Sequence, residues 1–380
     1  MYAPRGVYLD DRVVVVADSG NHRVLLWYGW PKADHQPADV VLGHTEFEAE
    51  GPGLLHLPTA VALVEGRLLV ADAWHHRILV WDDLPEGSGQ PPDRVIGQPD
   101  LRSTVPNAGG SPGPAGFYWP YGFTYVHGWF YVADTGNRRV LGWRGVPEGL
   151  RPADLVLGQP DAYSGAENRG RGVGADTFRW PHALVGDEMT LYVADAGNHR
   201  VLGFTPPPEQ DRPADLVLGQ EDFDRDFELP HVPQGPQRLR FPYGVALCRD
   251  YLAVADTANN RVLLFPGPPR RGVYLPAAHV IGQANFAESG ENRWRAVGWD
   301  TLCWPYGVWG YQDLLAVADS GNNRVMIWRL RRSYMKSSRS IPSASPRPPV
   351  KKSVAPNKLR LGLQVSTAGL HPLPKLLLRI

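Results

Sequence analysis

The chain has 380 residues, 43% of them hydrophobic, and its 39 basic side chains balance 39 acidic ones. The balance is uneven: 12 Lys and Arg, and no Asp or Glu, lie from Arg329 to the end, which leaves 27 basic against 39 acidic groups before it. An acidic body argues against a general attractor of nucleic acid, two cysteines exclude a disulfide framework, and no apolar run reaches the ~20 residues of a membrane span. No basic region followed by an apolar core opens the chain, so the expected location is cytoplasmic.

The first unit sets the vocabulary. An apolar run, GVYL, follows Pro4; a second, VVVVAD, ends at Asp18; a third, RVLLW, begins at Arg23; a fourth, DVVLG, follows from Asp39. The phrase ADSGNHRVLLW at 17–27 returns at 71–81, 133–143, 194–204, 255–265 and 318–328. Fourteen residues before each anchoring Asp (Asp18, Asp72, Asp134, Asp195, Asp256, Asp319) stands a proline: Pro4, Pro58, Pro120, Pro181, Pro242, Pro305. Five residues after it stands an arginine: Arg23, Arg77, Arg139, Arg200, Arg261, Arg324. Nine after it stands an aromatic: Trp27, Trp81, Trp143, Phe204, Phe265, Trp328. Valine, isoleucine and aromatics fill the apolar runs, with Gly, Asn and Pro between them, as strands and turns require. Four short strands repeated every 54 to 63 residues predict an all-β, six-bladed β-propeller of four-stranded antiparallel blades around a central channel.

After Trp328 the composition changes. Residues 329–358 read as a basic Ser/Pro-rich linker, expected to be disordered, and 359–380 as a C-terminal segment. Blade six has only three strands by residue 328, and the alternation of LRLGLQV at 359–365 marks a candidate closing strand.

The repeated phrases ADSGNHRVLLW, ADTGNRRVLGW, ADAGNHRVLGF and ADSGNNRVMIW resemble NHL repeats, over roughly residues 3–328. The VLGQPD extension at 156–161, echoed at 95–100 and 217–222, is similar to a bacterial subgroup of such propellers. Blade two departs from the pattern with Trp74 and His75, and a different backbone path is expected for its turn.

Residues identical in every blade serve what every blade needs. The six anchoring Asp and the six Arg five residues after them read as a structural turn lock, with each Asp accepting from turn amides two residues on. Asn21, Asn137, Asn198, Asn259 and Asn322 are expected at the strained turn position, and the Trp/Phe set in the wedge between blades. Recognition should lie where the copies differ. The residue after each proline gives Arg5, Thr59, Tyr121, His182, Tyr243 and Tyr306, expected to ring one mouth of the channel. The variable hairpin position gives His22, His76, Arg138, His199, Asn260 and Asn323 on the same face. Long connections carry the related stretches Asn168, Arg169, Arg171 and Asn292, Arg293, Arg295, expected to wall a bowl above the channel.

Three functions follow for comparison. The resemblance to six-bladed relatives implies either a calcium-dependent lactonase or a zinc-dependent lyase, yet the ring offers no acidic oxygens and only His182 as imidazole. His75–His76 reads as a solvated turn rather than a ligand pair, and neither a phosphate loop nor a serine elbow is present. Resemblance to RNA-reading propellers implies a basic face, for which Arg138, Arg169, Arg171, Arg179, Arg293 and Arg295 are the candidates. Tyrosine, histidine and arginine around one mouth suit recognition of a protein or peptide partner, the preferred reading, with no metal site and no cofactor expected.

Overall fold

A computed structural model describes residues 1–49 and 51–330. Each proline step starts an inner strand, each Asp ends the second strand, and each Arg starts the third. Blade one comprises Gly6–Leu9, Val13–Asp18, Arg23–Tyr28 and Val40–Leu42; blade two Pro58–Val64, Arg67–Asp72, Arg77–Trp81 and Arg94–Ile96. Blade three comprises Pro120–Val126, Trp129–Asp134, Arg139–Arg144 and Leu155–Leu157; blade four Pro181–Gly186, Leu191–Asp195, Arg200–Phe204 and Leu216–Leu218. Blade five comprises Pro242–Cys248, Tyr251–Asp256, Arg261–Pro266 and His279–Ile281. Blade six shows Pro305–Tyr311, Leu314–Asp319 and Arg324–Arg329, three strands among the described residues. The expected linker and the candidate strand at 359–365 lie outside the described residues. Strands within each blade run antiparallel, and blade four gains a short parallel edge strand, Gly272–Val273, from the connection that follows the third strand of blade five.

The aromatic ring fills the wedges. Trp27 packs with Leu314, Ala316 and Ile327 of blade six, Phe204 with Tyr131 and Leu155 of blade three, and Phe265 with Tyr192 and Leu218 of blade four. All six of these aromatics are buried, each taking ~150–250 Å² from water. The indole nitrogens of Trp27, Trp81 and Trp143 donate to the carbonyls of Gln36, Gln90 and Arg151, so their burial strands no donor.

Where the inner strands of adjacent blades approach, there is no room for a side chain on the facing glycine. A Cβ on Gly6 would lie 2.7 Å from the Thr59 carbonyl oxygen of the next blade. Gly122, Gly244 and Gly307 face the carbonyls of His182, Tyr306 and Arg5 in the same way. The sequence therefore spells Pro-x-Gly where the innermost strands of two blades come closest.

The lock differs in its bonding from the expectation. Each Asp Oδ1 accepts from a backbone N–H sixteen residues earlier, as Tyr118 N to Asp134 at 2.7 Å and Cys303 N to Asp319 at 2.7 Å, rather than from turn amides. Oδ2 accepts from the arginine Nε, at 2.7 Å for Arg139 and 2.9 Å for Arg200, and from the asparagine Nδ2, at 2.8 Å for Asn137. The rest of the guanidinium donates to carbonyls of the loop entering the blade and of the loop leaving it: Arg200 reaches Thr177 at 2.8 Å and Phe223 at 2.6 Å. A buried ion pair offsets its desolvation only when the remaining donors are satisfied, and here they are.

The asparagines do not take the strained position. They sit in a 3-10 turn, and the left-handed residue is the next one: His22, His76, Arg138, His199, Asn260 and Asn323, all with φ of 53° to 55°. Blade two follows the same path as the others, with φ 55° and ψ 41° at His76. Its His75 replaces Asn by contacting Asp72 Oδ2 through Nδ1 at 3.0 Å, so the turn tolerates Trp74 without a detour. Nor is the pair a solvated turn: His76 is buried.

Candidate functional site

In blades two to six the register of the inner strand slips just after the proline. A bulge re-aims the residue it contains, and these bulges contain Thr59, Tyr121, His182, Tyr243 and Tyr306. With Arg5 from blade one they line a single axial cavity of about 120 Å³. Neighbours touch around it. Tyr121 lies 4.6 Å from His182, His182 stacks on Tyr243 at 4.3 Å, and Tyr243 stacks on Tyr306 at 4.7 Å. The Arg5 guanidinium sits 4.9 Å over the Tyr306 ring, and the Thr59 hydroxyl donates to the Tyr121 carbonyl at 2.8 Å.

Burial sets the charge states of this ring. His182 is pushed down to about 4, chiefly by desolvation, although its contact with the Trp180 carbonyl opposes the shift and Arg5 adds to it. Its Nδ1 lies 3.0 Å from that carbonyl, so Nδ1 carries the proton and Nε2 is left as an acceptor. Desolvation raises Tyr243 and Tyr306 above the ordinary phenol value. Arg5 is the single charged side chain among the lining residues.

Above the ring stands a feature that the sequence reading missed. The residue before each repeat proline has positive φ: Leu57 49°, Trp119 55°, Trp180 150°, Phe241 47°, Trp304 49° and Ala3 44°. A residue before proline ordinarily adopts extended backbone with negative φ. At five of the six junctions this residue's N–H is clasped by the preceding blade. His22 Nδ1 accepts from Leu57 N at 3.1 Å, His76 Nδ1 from Trp119 N at 3.1 Å, and His199 Nδ1 from Phe241 N at 3.2 Å. Asn260 Oδ1 and Asn323 Oδ1 do the same for Trp304 and Ala3, both at 2.8 Å. Arg138 has no acceptor to offer; it donates instead to the Gly136 carbonyl at 2.7 Å, and Trp180 takes its different backbone. Thr135 closes that junction by donating to the Pro181 carbonyl, as Ser19, Thr257 and Ser320 do for Pro58, Pro305 and Pro4. The hairpin positions picked for recognition thus have their acceptor atoms engaged between blades.

The consequence is an aromatic crown. Trp119, Trp180, Phe241 and Trp304 stand at the mouth; Trp180 stacks on Phe241 at 6.3 Å and Trp74 reaches Trp119 at 5.8 Å. Trp74 and Trp304 keep 40% and 41% of their surface exposed. The signal was present in the sequence as a bulky aromatic before four of six repeat prolines.

The long connections are tied to the lock. Asn107, Asn168 and Asn292 bond the turn amides of Asn137, Asn198 and Asn322, and Gln234 does so for Asn259. Blade two, whose incoming loop is short, lacks both partners, with His75 where the others have Asn. The Gln159 amide of the VLGQ segment donates to the Arg138 and Ala166 carbonyls at 3.1 and 2.8 Å, pinning the next loop. The arginines of these loops face carboxylates: Arg169 meets Asp176 and Asp211, Arg171 meets Asp176, Arg293 and Arg295 meet Asp300, and Arg179 meets Glu167. They do not form a free positive patch. Among the described residues no three His, Cys, Asp or Glu side chains gather closely enough to hold a metal ion, and no helix is long and apolar enough to cross a membrane.

No curated protein matches the chain. Among solved structures, the virginiamycin B lyase of Staphylococcus aureus aligns at 12% identity over 86% of this chain and 80% of that one, with a TM-score of 0.44. A streptogramin B lyase aligns at 10% identity over 87% and 84%, TM-score 0.44, and the WD40 repeats of RRP9 at 13% identity over 87% and 77%, TM-score 0.41. The family model of the NHL repeat matches residues 1–25, the stretch holding Pro4, Asp18 and Arg23. The other five copies carry the same Pro, Asp and Arg at the same offsets, with the same Asp–Arg bond in three dimensions: the chain is a six-bladed β-propeller whose first repeat matches the NHL model and whose other five repeat its skeleton.

Proposed function

We propose that this propeller is a non-enzymatic, cytoplasmic scaffold that binds a protein or peptide partner on the face around the channel mouth. The observation that carries the reading is the crown: four bulky aromatics held at positive φ before proline, over a ring of tyrosines and histidine. Such backbone costs on the order of 1–3 kcal/mol per residue and clusters where function needs it. Exposed aromatics around a concave centre are the usual anchors of recognition. Trp294, 86% exposed, and Trp299 extend the apolar surface on the loop entering blade six. Two free, buried cysteines, Cys248 and Cys303, suit a reducing compartment.

The test is affinity capture from a soluble extract with the full chain and two variants. Tyr121→Ala, Tyr243→Ala and Tyr306→Ala combined, or Trp119→Ala with Trp304→Ala, should lose the partner. Tyr311→Ala, at the opposite end of the inner strand, should keep it. A partner retained by both mouth variants would reject this face.

A further inference from the structure

The channel mouth holds a charge with nothing to answer it. Arg5 makes no ion pair and no side-chain hydrogen bond among the described residues, whereas the loop arginines 169, 171, 179, 293 and 295 all meet carboxylates. Among the described residues its one ring contact is Tyr306, and no Asp or Glu lines the cavity around it. A cation drawn out of bulk water is costly unless an anion or hydrogen-bond acceptor attends it; a tyrosine face offsets part of that cost.

Phenol donors line the same cavity as the guanidinium. The hydroxyls of Tyr121, Tyr243 and Tyr306 bond no protein atom among the described residues, and each O–H is free to donate. Arg5, Tyr121, Tyr243 and Tyr306 line one cavity, with Tyr243 stacked on Tyr306 at 4.7 Å and Arg5 4.9 Å over the Tyr306 ring. On the far side, His182 presents Nε2 as an acceptor, because Nδ1 is held by the Trp180 carbonyl. One guanidinium, three phenols and one acceptor match a single carboxylate with an N–H beside it. Among the described residues no second cation lines the cavity to balance a dianion.

We infer that the channel mouth is a carboxylate-binding site, in which Arg5 and the phenols of Tyr121, Tyr243 and Tyr306 hold the anion and the aromatic crown covers the apolar body attached to it. This rests on the recognition role proposed for the same face and names the group recognised. The chemistry is shared by a peptide C-terminus and by a small monocarboxylic acid.

Isothermal titration calorimetry on the full chain tests it with four probes: N-acetylphenylalanine, its amide, acetate and inorganic phosphate. The acid should bind, and the amide should bind at least about tenfold more weakly, the loss of a charge-assisted bond. Arg5→Met should weaken the acid on the order of 10- to 100-fold, with a melting temperature close to wild type to show that the variant folds; Tyr243→Phe should weaken it several-fold. If acetate binds as tightly as the acid, the ligand is a small monocarboxylate; if the aromatic body is needed, a peptide terminus. Equal binding of acid and amide, no binding of either acid or acetate, undiminished binding by Arg5→Met, or a preference for phosphate would overturn the inference. A partner captured by wild type and Arg5→Met alike but lost by the triple tyrosine variant would leave the scaffold reading standing and remove only the carboxylate.

Discussion

His76 Nδ1 accepts the backbone N–H of Trp119 at 3.1 Å, joining the hairpin of blade two to the first strand of blade three. Asn260 Oδ1 makes the same bond to Trp304 between blades five and six. The two residue types share a short reach, an acceptor, and tolerance of left-handed backbone. His76→Asn should therefore keep the clasp and melt within a few degrees of wild type. His76→Ala leaves the half-buried Trp119 N–H without that partner and should cost about 1 kcal/mol, read as a lower midpoint in urea. Equal midpoints for the two variants would show that the contact contributes nothing.

The same clasp makes stability depend on pH. A histidine accepting through Nδ1 must be neutral. Burial lowers His22 and His199 and pushes His76 down to about 4. In the unfolded chain these groups protonate near the ordinary value of about 6.5. The unfolded state therefore binds more protons between those two values, and stability falls with falling pH. Melting temperature should hold above about pH 6.5 and decline toward pH 4. A variant carrying His22→Asn, His76→Asn and His199→Asn should decline less over that window; parallel curves would assign the decline to other groups.

Arg139 is fully buried against Asp134 at 2.7 Å. Desolvation already pushes the Asp134 carboxyl up, and Arg139 opposes the shift. Arg139→Ala removes the counter-charge and frees the Ala162 and Gly113 carbonyls of two loops. The expected loss is about 3–5 kcal/mol. The double variant Asp134→Ala with Arg139→Ala should lose less than Arg139→Ala alone, because no unpaired charge remains. Losses that simply add would deny the coupling.

Gly307 lies where blade six meets blade one, and a Cβ there would overlap the Arg5 carbonyl. That contact is backbone and cannot swing aside. Gly307→Ala should destabilise by about 1–3 kcal/mol. Gly145→Ala places a methyl in open space but at φ 74°, so any loss there reports backbone strain without a clash. The two midpoints separate crowding from strain, and a neutral Gly307→Ala would contradict the close approach of the inner strands.

The amino-acid sequence determined what is local and repeated. Fixed offsets among Pro, Asp, Arg and aromatic marked six copies, and the alternation of apolar runs and turns made each copy a small sheet. The six residues after the prolines could be picked as a ring because radial repetition carries equivalent positions to equivalent places. What it did not determine was direction. Whether Asp134 bonds its own turn or an N–H sixteen residues back, and whether His76 faces solvent or the next blade, depends on which groups a neighbouring blade presents. The aromatic crown was unreadable for the same reason, since Trp119, at positive φ, bonds through its N–H to an acceptor forty-three residues away. Chain-local rules set each blade; only the packing of one blade on the next decided which polar atoms were spent and which, at Arg5 and the tyrosines, were left without a side-chain hydrogen bond among the described residues.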